Sequence, residues 1–113
     1  MVDTNKRDMT IAKKIMAEID DIKEFVSGMD ENDFYSDLKT QKAVVMSLIN
    51  IGELSKAFSD AFVKSRINIP WKKVQAMRNV AAHRYDFVDM QIVWDTIQIS
   101  IEELRDDLSS VIT

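Results

Sequence analysis

Residues 43–54, AVVMSLINIGEL, are apolar on nearly every side when they are placed on a helix. Such a helix is typical of an element buried on two fronts, against its own bundle and against another subunit. We therefore expect it to lie at the centre of a helical bundle and to take part in a homodimer. The flanking sequence extends it to one long helix over about Ser36–Ser65. At 1.5 Å per residue this helix would span roughly 45 Å, so we expect an elongated bundle or a bent helix.

Two further amphipathic helices flank this segment, because their apolar residues recur at spacings of three and four. The first is predicted over about Asn5–Ser27 and ends where Gly28 follows. The last is predicted to begin at Asp89, its N-cap, and to end at Ile112. Their apolar faces comprise Ile11, Ile15, Ile19, Ile22 and Val26 in the first helix, and Met90, Trp94, Ile97, Ile101, Leu104, Leu108 and Val111 in the last.

A shorter helix is predicted over about Pro70–Ala82, where proline suits the first turn and Trp71 provides an anchor in the core. We interpret residues 29–38 as a connection with a turn of helix around Glu31–Tyr35, and residues 66–69 as a loop. The predicted fold is therefore all-α, an antiparallel bundle of four main helices with one long central helix.

The composition limits the classes to which the chain can belong. With 113 residues, 46% of them hydrophobic and 30% charged, we expect residues 1–113 to form one domain. Two glycines and one proline leave no Gly-rich phosphate loop, and the lack of cysteine excludes disulfides, thiolate nucleophiles and Cys-ligated zinc. Because the sequence shows neither a signal peptide nor a long apolar run, we expect a cytoplasmic protein without membrane contact.

The densest polar functionality lies in residues 78–85, RNVAAHRY, which include the only histidine, His83. On an unbroken helix Arg78 and His83 would diverge by roughly 140°, so they converge only if the helix ends or distorts near Ala82. An arginine binds phosphate through two parallel hydrogen bonds, and a histidine at a helix end suits acid–base chemistry. From the residues alone, this pattern fits two readings about equally: a site for phosphodiester chemistry, or a polar pair that simply ends the helix. A two-fold dimer would supply two copies of each side chain.

The pattern of Arg78, Asn79, His83 and Tyr85 resembles the signature of the HEPN superfamily, specifically of the HepT-like toxins. Further similarity lies in Gln-Lys-Ala-Val, Ile-Gly-Glu and Ile-Pro-Trp at 41–44, 51–53 and 69–71. The resemblance covers about residues 38–85.

The resemblance implies a HEPN-like bundle and a metal-independent ribonuclease, the toxin of a type VII toxin–antitoxin pair. It implies a homodimer whose cleft lies at the two-fold axis, with Arg78 and His83 as the catalytic pair. It also implies that a cognate MntA-type nucleotidyltransferase antitoxin attaches AMP to Tyr85.

Further polar residues are candidates for supporting or substrate-binding roles. Asn79 would hydrogen-bond the substrate or the loop that aims His83, or would simply end the helix. Ser47, Asn50 and Glu53 step by three along the apolar helix, and because buried polar groups need partners, this stripe would line the cleft opposite the motif. A stripe that faces solvent is the alternative, which we favour for Ser47 but not for Glu53.

The charge is unevenly distributed along the chain. A net charge of −4 and a pI near 4.9 argue against a nucleic-acid partner when they are taken as averages. However, residues 63–85 contain six basic and no acidic residues, whereas the rest of the chain contains 9 basic and 19 acidic residues. RNA phosphates would dock on this basic strip, with Lys72, Lys73 and Arg84 as candidate contacts. Scattered solvated lysines are the simpler reading of Lys72 and Lys73.

The leading hypothesis is thus an RNA-cleaving toxin whose partners are RNA, a second copy of the chain and the antitoxin. We expect no cofactor and no metal, because the adjacent carboxylate pairs have no histidine near them in sequence. The alternative is a non-catalytic module that binds nucleotide or recruits substrate for a nucleotidyltransferase. A purely structural dimerisation protein would leave residues 78–85 unexplained.

Overall fold

The computed structural model describes residues 6–79 and 89–112, and every element of regular structure within them is a helix. The all-α class predicted from the sequence is confirmed. The helices are α1 (Lys6–Phe25), α2 (Glu31–Tyr35), α3 (Leu38–Ser55), α4 (Asp60–Ser65), α5 (Trp71–Asn79), α6 (Met90–Asp95) and α7 (Ile101–Ile112), with a π-helical turn at Thr96–Ser100 between the last two.

Helix α3 lies between α1 and α5, and α7 packs on α1. α1 and α3 run antiparallel. Asp8, near the start of α1, accepts from Ser59 just beyond α3, whereas Asn50, earlier in α3, donates to Glu18, half the length of α1 farther along. The predicted apolar face of α1 is confirmed by the burial of its isoleucines. Among the helices of the described ranges, none combines the length and apolarity that crossing a bilayer requires.

The predicted long helix over residues 36–65 is wrong, because the chain turns between α3 and α4. Ser59 caps α4 by accepting from the N–H of Phe62 at 3.2 Å. The buried carboxylate of Asp8 accepts from the N–H and the hydroxyl of Ser59, at 2.9 and 2.6 Å, and so fixes the turn from a distant part of the chain. Phe58 and Phe62 then stack at 4.3 Å and meet the half-buried Trp71 edge-on.

The last predicted helix has the expected ends but is not uniform. Asp89 caps α6 by accepting from the N–H of Gln91, as the sequence predicts. At the π-helical turn the N–H of Ile101 donates to the carbonyl of Thr96, five residues earlier, and the Thr96 hydroxyl donates to the carbonyl of Ile92. The predicted apolar face is nevertheless confirmed, since all its residues except the half-buried Met90 are buried.

Local capping bonds set where the second and third helices begin. The short helix expected at Glu31–Tyr35 is confirmed, and a reciprocal pair of bonds between Asp30 and Asp33 starts it. Asp37 caps α3 by accepting from the N–H of Thr40 at 3.0 Å. That backbone bond lowers the pKa of the Asp37 carboxyl below its ordinary value.

Candidate functional site

The side chain of Arg78 lies where the end of α5 meets α3. Its Nε is 3.5 Å from Oε1 of Glu53, which projects from the last turns of α3. Both side chains are partly exposed, 38% for Arg78 and 55% for Glu53. The guanidinium is therefore oriented by a carboxylate and still open to solvent, so an incoming phosphate can reach it.

Gly52 allows α5 to approach α3 this closely. A Cβ atom at Gly52 would lie 2.5 Å from the backbone N of Arg78, 2.6 Å from its Cβ and 2.9 Å from its Cα. Two of these atoms belong to the backbone, so no rotation of a side chain relieves the overlap. An isolated glycine inside a helix is the sequence signal for such a close approach, although no role for Gly52 was predicted from it.

The polar stripe of α3 does not act as one surface. Ser47 is buried, so the expectation that it faces solvent is wrong. Asn50 is half-buried and its Nδ2 donates to Oε1 of Glu18 at 3.2 Å, toward α1. Of the three residues in the stripe, Glu53 is the one with an ion pair to Arg78 in the described structure. Helix α3 is packed against both α1 and α5, and this explains why one stripe serves two neighbours.

An open groove of about 550 Å³ runs between α1 and the second half of α3. Its volume is in the range of small-molecule sites. Glu53 belongs both to the groove and to the ion pair with Arg78. The residues that line it are Lys14, Ala17, Glu18, Asn50, Glu53, Leu54 and Ala57.

The basic residues on α5 separate from its apolar face. Val74 and Met77 are buried, whereas Lys72 and Lys73 are exposed. Arg66, in the loop before α5, is half-buried, with its Cζ 5.5 Å from the centre of the Phe62 ring. The two lysines lie on the helix that carries Arg78 and are accessible to a polyanion.

Several predicted site residues lie outside the described residues. They are His83, Arg84 and Tyr85, so the convergence of Arg78 with His83 stays a prediction. Asn79 is the last residue of α5, and its proposed hydrogen bond also stays a prediction.

Comparison with known proteins places the chain in a family. The model of the family described as "Ribonuclease HepT-like" matches residues 15–111. A protein of Thermococcus cleftensis named "Probable ribonuclease HepT" is 36% identical over 80% of this chain and 83% of its own length. Two proteins of Methanocaldococcus jannaschii that carry RNase names are 32% and 27% identical, over 86% and 95% of this chain and 78% and 99% of their own lengths. No solved structure matches the chain significantly. The chain belongs to the HepT-like ribonucleases of the HEPN superfamily.

Proposed function

We propose that this protein is a metal-independent RNA endonuclease that cuts by transesterification at a site built on Arg78 and His83. The observation that carries the proposal is the placement of Arg78, a partly exposed guanidinium held where α3 and α5 meet. Membership of a ribonuclease family supports the reaction class. The exposed Lys72 and Lys73 on the same helix support a polyanionic substrate.

In the proposed reaction a base removes the proton of a ribose 2′-hydroxyl, and the 2′-oxygen attacks the adjacent phosphorus. The bond from phosphorus to the 5′-oxygen breaks, and an acid protonates that leaving oxygen. The products are a 2′,3′-cyclic phosphate and a 5′-hydroxyl. In this scheme His83 moves the protons and Arg78 stabilises the extra negative charge on the phosphorane.

A homodimer would complete this site, because one chain contains one histidine. Support comes from α3, on which Met46 and Leu38 are each 56% exposed although the helix is the central element of the fold. The measurement is the molar mass in solution, which should be twice the 13.0 kDa of the chain. A monomeric mass at micromolar concentration would contradict the two-copy site.

As a toxin, the protein would be silenced by a separately encoded nucleotidyltransferase of the MntA type. The Tyr85 hydroxyl would attack the α-phosphorus of ATP, and pyrophosphate would leave. Incubation with such an enzyme and ATP should add mass in whole multiples of an AMP group. Persistence of the added mass in Tyr85→Phe would exclude this tyrosine as the acceptor.

The central experiment incubates the purified protein with RNA in excess EDTA and identifies the ends of the fragments. We expect 2′,3′-cyclic phosphate ends, and loss of cleavage in both Arg78→Ala and His83→Ala when circular dichroism shows that they fold. Wild-type protein that leaves RNA intact but binds nucleotide would favour the non-catalytic module instead.

A further inference from the structure

The groove between α1 and α3 combines an apolar floor with one fixed polar edge. Ala17, Leu54 and Ala57 supply apolar surface, and Glu18 and Asn50 supply the edge. The Nδ2 of Asn50 donates to Oε1 of Glu18 at 3.2 Å, so the carboxylate is held by its neighbour across the two helices. A flat aromatic group would contact the floor while its polar rim meets this edge.

The edge is rich in hydrogen-bond acceptors. The bond between Asn50 and Glu18 does not use Oε2 of Glu18 or Oδ1 of Asn50, and both atoms accept. A ligand that complements a carboxylate presents two adjacent N–H donors. Guanine does so with N1–H and its 2-amino group, whereas adenine, cytosine and uracil place a ring nitrogen or a carbonyl beside their donor. The hydrogen-bonding pattern therefore favours guanine among the four RNA bases.

The position of the groove connects it to the arginine. Glu53 lines the groove and lies 3.5 Å from Arg78, so a nucleotide whose base lies in the groove has its phosphates near the guanidinium. Lys14, an exposed cation, stands on the opposite wall, on α1.

We propose that this groove binds the guanine base of the nucleotide next to the bond that is cut, with Glu18 and Asn50 as specificity-determining residues. This inference rests on the proposed ribonuclease function. The partner is single-stranded RNA, because a base in a duplex has its Watson–Crick edge occupied.

The test uses the full-length protein and RNA oligonucleotides of adenosine and uridine that contain a single guanosine, inosine or 7-deazaguanosine. Inosine lacks only the 2-amino group, so kcat/KM for cleavage next to it should fall at least about fivefold. The 7-deaza base changes the opposite edge and should be cut like guanosine. In Glu18→Gln the preference for guanosine over inosine should shrink to within about twofold. Glu24→Gln, an exposed change on the same helix, should keep it.

A second readout separates the groove from the chemistry. Oligonucleotides with a 2′-deoxy sugar at the cut site lack the nucleophile, and fluorescence anisotropy reports how well they bind. A guanosine preference in binding that Glu18→Gln removes would uphold the groove even if no RNA were cut, and the proposed ribonuclease function alone would fail. Cleavage and binding that ignore the change from guanosine to inosine would overturn the groove assignment and leave the ribonuclease standing. Glu18→Gln protein with an altered oligomeric mass would overturn it in favour of a subunit interface.

Discussion

Substituting Gly52 by alanine tests the contact that places Arg78. The new methyl group would lie 2.5 to 2.9 Å from the N, Cβ and Cα atoms of Arg78, about 1 Å inside ordinary contact distance. Because two of these atoms are backbone, α5 must move away by about that distance or the helices must strain. Overpacking of this kind costs about 1–3 kcal/mol, and we take the upper end because no rotamer change relieves it.

Helix propensity acts in the opposite direction, and this makes the test sharp. Alanine favours a helix interior over glycine by about 1 kcal/mol, so propensity alone predicts that Gly52→Ala stabilises the protein. Subtracting this gain leaves a net loss of about 2 kcal/mol, or a fall in Tm of roughly 8 °C for a domain of this size. A shift of Arg78 by 1 Å should also lower RNA cleavage by about a hundredfold.

The assay is thermal unfolding followed by circular dichroism, together with kcat/KM for RNA cleavage of the folded protein. Glu24→Ala provides the control, since Glu24 is an exposed residue of α1 that contributes neither to the candidate site nor to the proposed subunit interface. It should change both quantities little. A Gly52→Ala protein with a Tm at or above that of the wild type and with wild-type cleavage would refute the claim that α3 and α5 pack too closely at this residue to admit a methyl group.

Three further substitutions test the orientation of Arg78, the turn between α3 and α4, and the cap of α3. Glu53→Gln should lower kcat/KM for RNA by about tenfold, because Arg78 loses a partner that orients it. The free energy of unfolding should change by less than about 1 kcal/mol, because the ion pair is exposed. An unchanged kcat/KM would refute the orienting role. Asp8→Ala should lower the free energy of unfolding, measured in urea, by about 2–3 kcal/mol, because the N–H and hydroxyl of Ser59 lose their buried acceptor. A loss below about 1 kcal/mol would show that the turn between α3 and α4 forms without Asp8. At pH 7, wild-type protein should have a higher Tm than Asp37→Asn. This difference in Tm should close as the pH falls below 3.8, the ordinary pKa of an aspartate, and through the lowered pKa of Asp37, because its carboxylate stabilises the folded state only while it is ionised. A difference in Tm that does not depend on pH would contradict this reasoning.

Elements whose signal is local were predictable from the sequence. The apolar faces of α1 and of the last helix follow from spacings of three and four, and those residues are buried except for the half-buried Val26 and Met90. Asp89 acts within its own turn, so its capping role was also readable. The turn after α3 was not readable, because residues 55–59 are compatible with a helix and the carboxylate that fixes the turn comes from Asp8, 51 positions before Ser59.

The candidate site was predictable to the same limited extent. Residue type and spacing singled out Arg78 and the stripe that contains Glu53, and the structure places these two side chains together. The sequence did not reveal that Asn50 faces α1 or that Ser47 is buried, since both depend on which helices surround α3. An isolated glycine inside a helix marked position 52 as unusual, but its role depends on the backbone of α5 that approaches it, which the sequence does not show.

The position of Arg78 depends more on backbone packing than on its ion pair. A pair as exposed as Arg78 and Glu53 stabilises by at most about 1 kcal/mol, too little to position a helix. The close approach at Gly52 instead fixes the Cα of Arg78, and Glu53 then only orients the guanidinium. In the proposed reaction, an RNA phosphate would replace Glu53 as the partner of Arg78 through a charge-assisted bond, and the helix would not need to move. The proposed site would therefore be organised before the substrate binds, while its cation stays available to the phosphate.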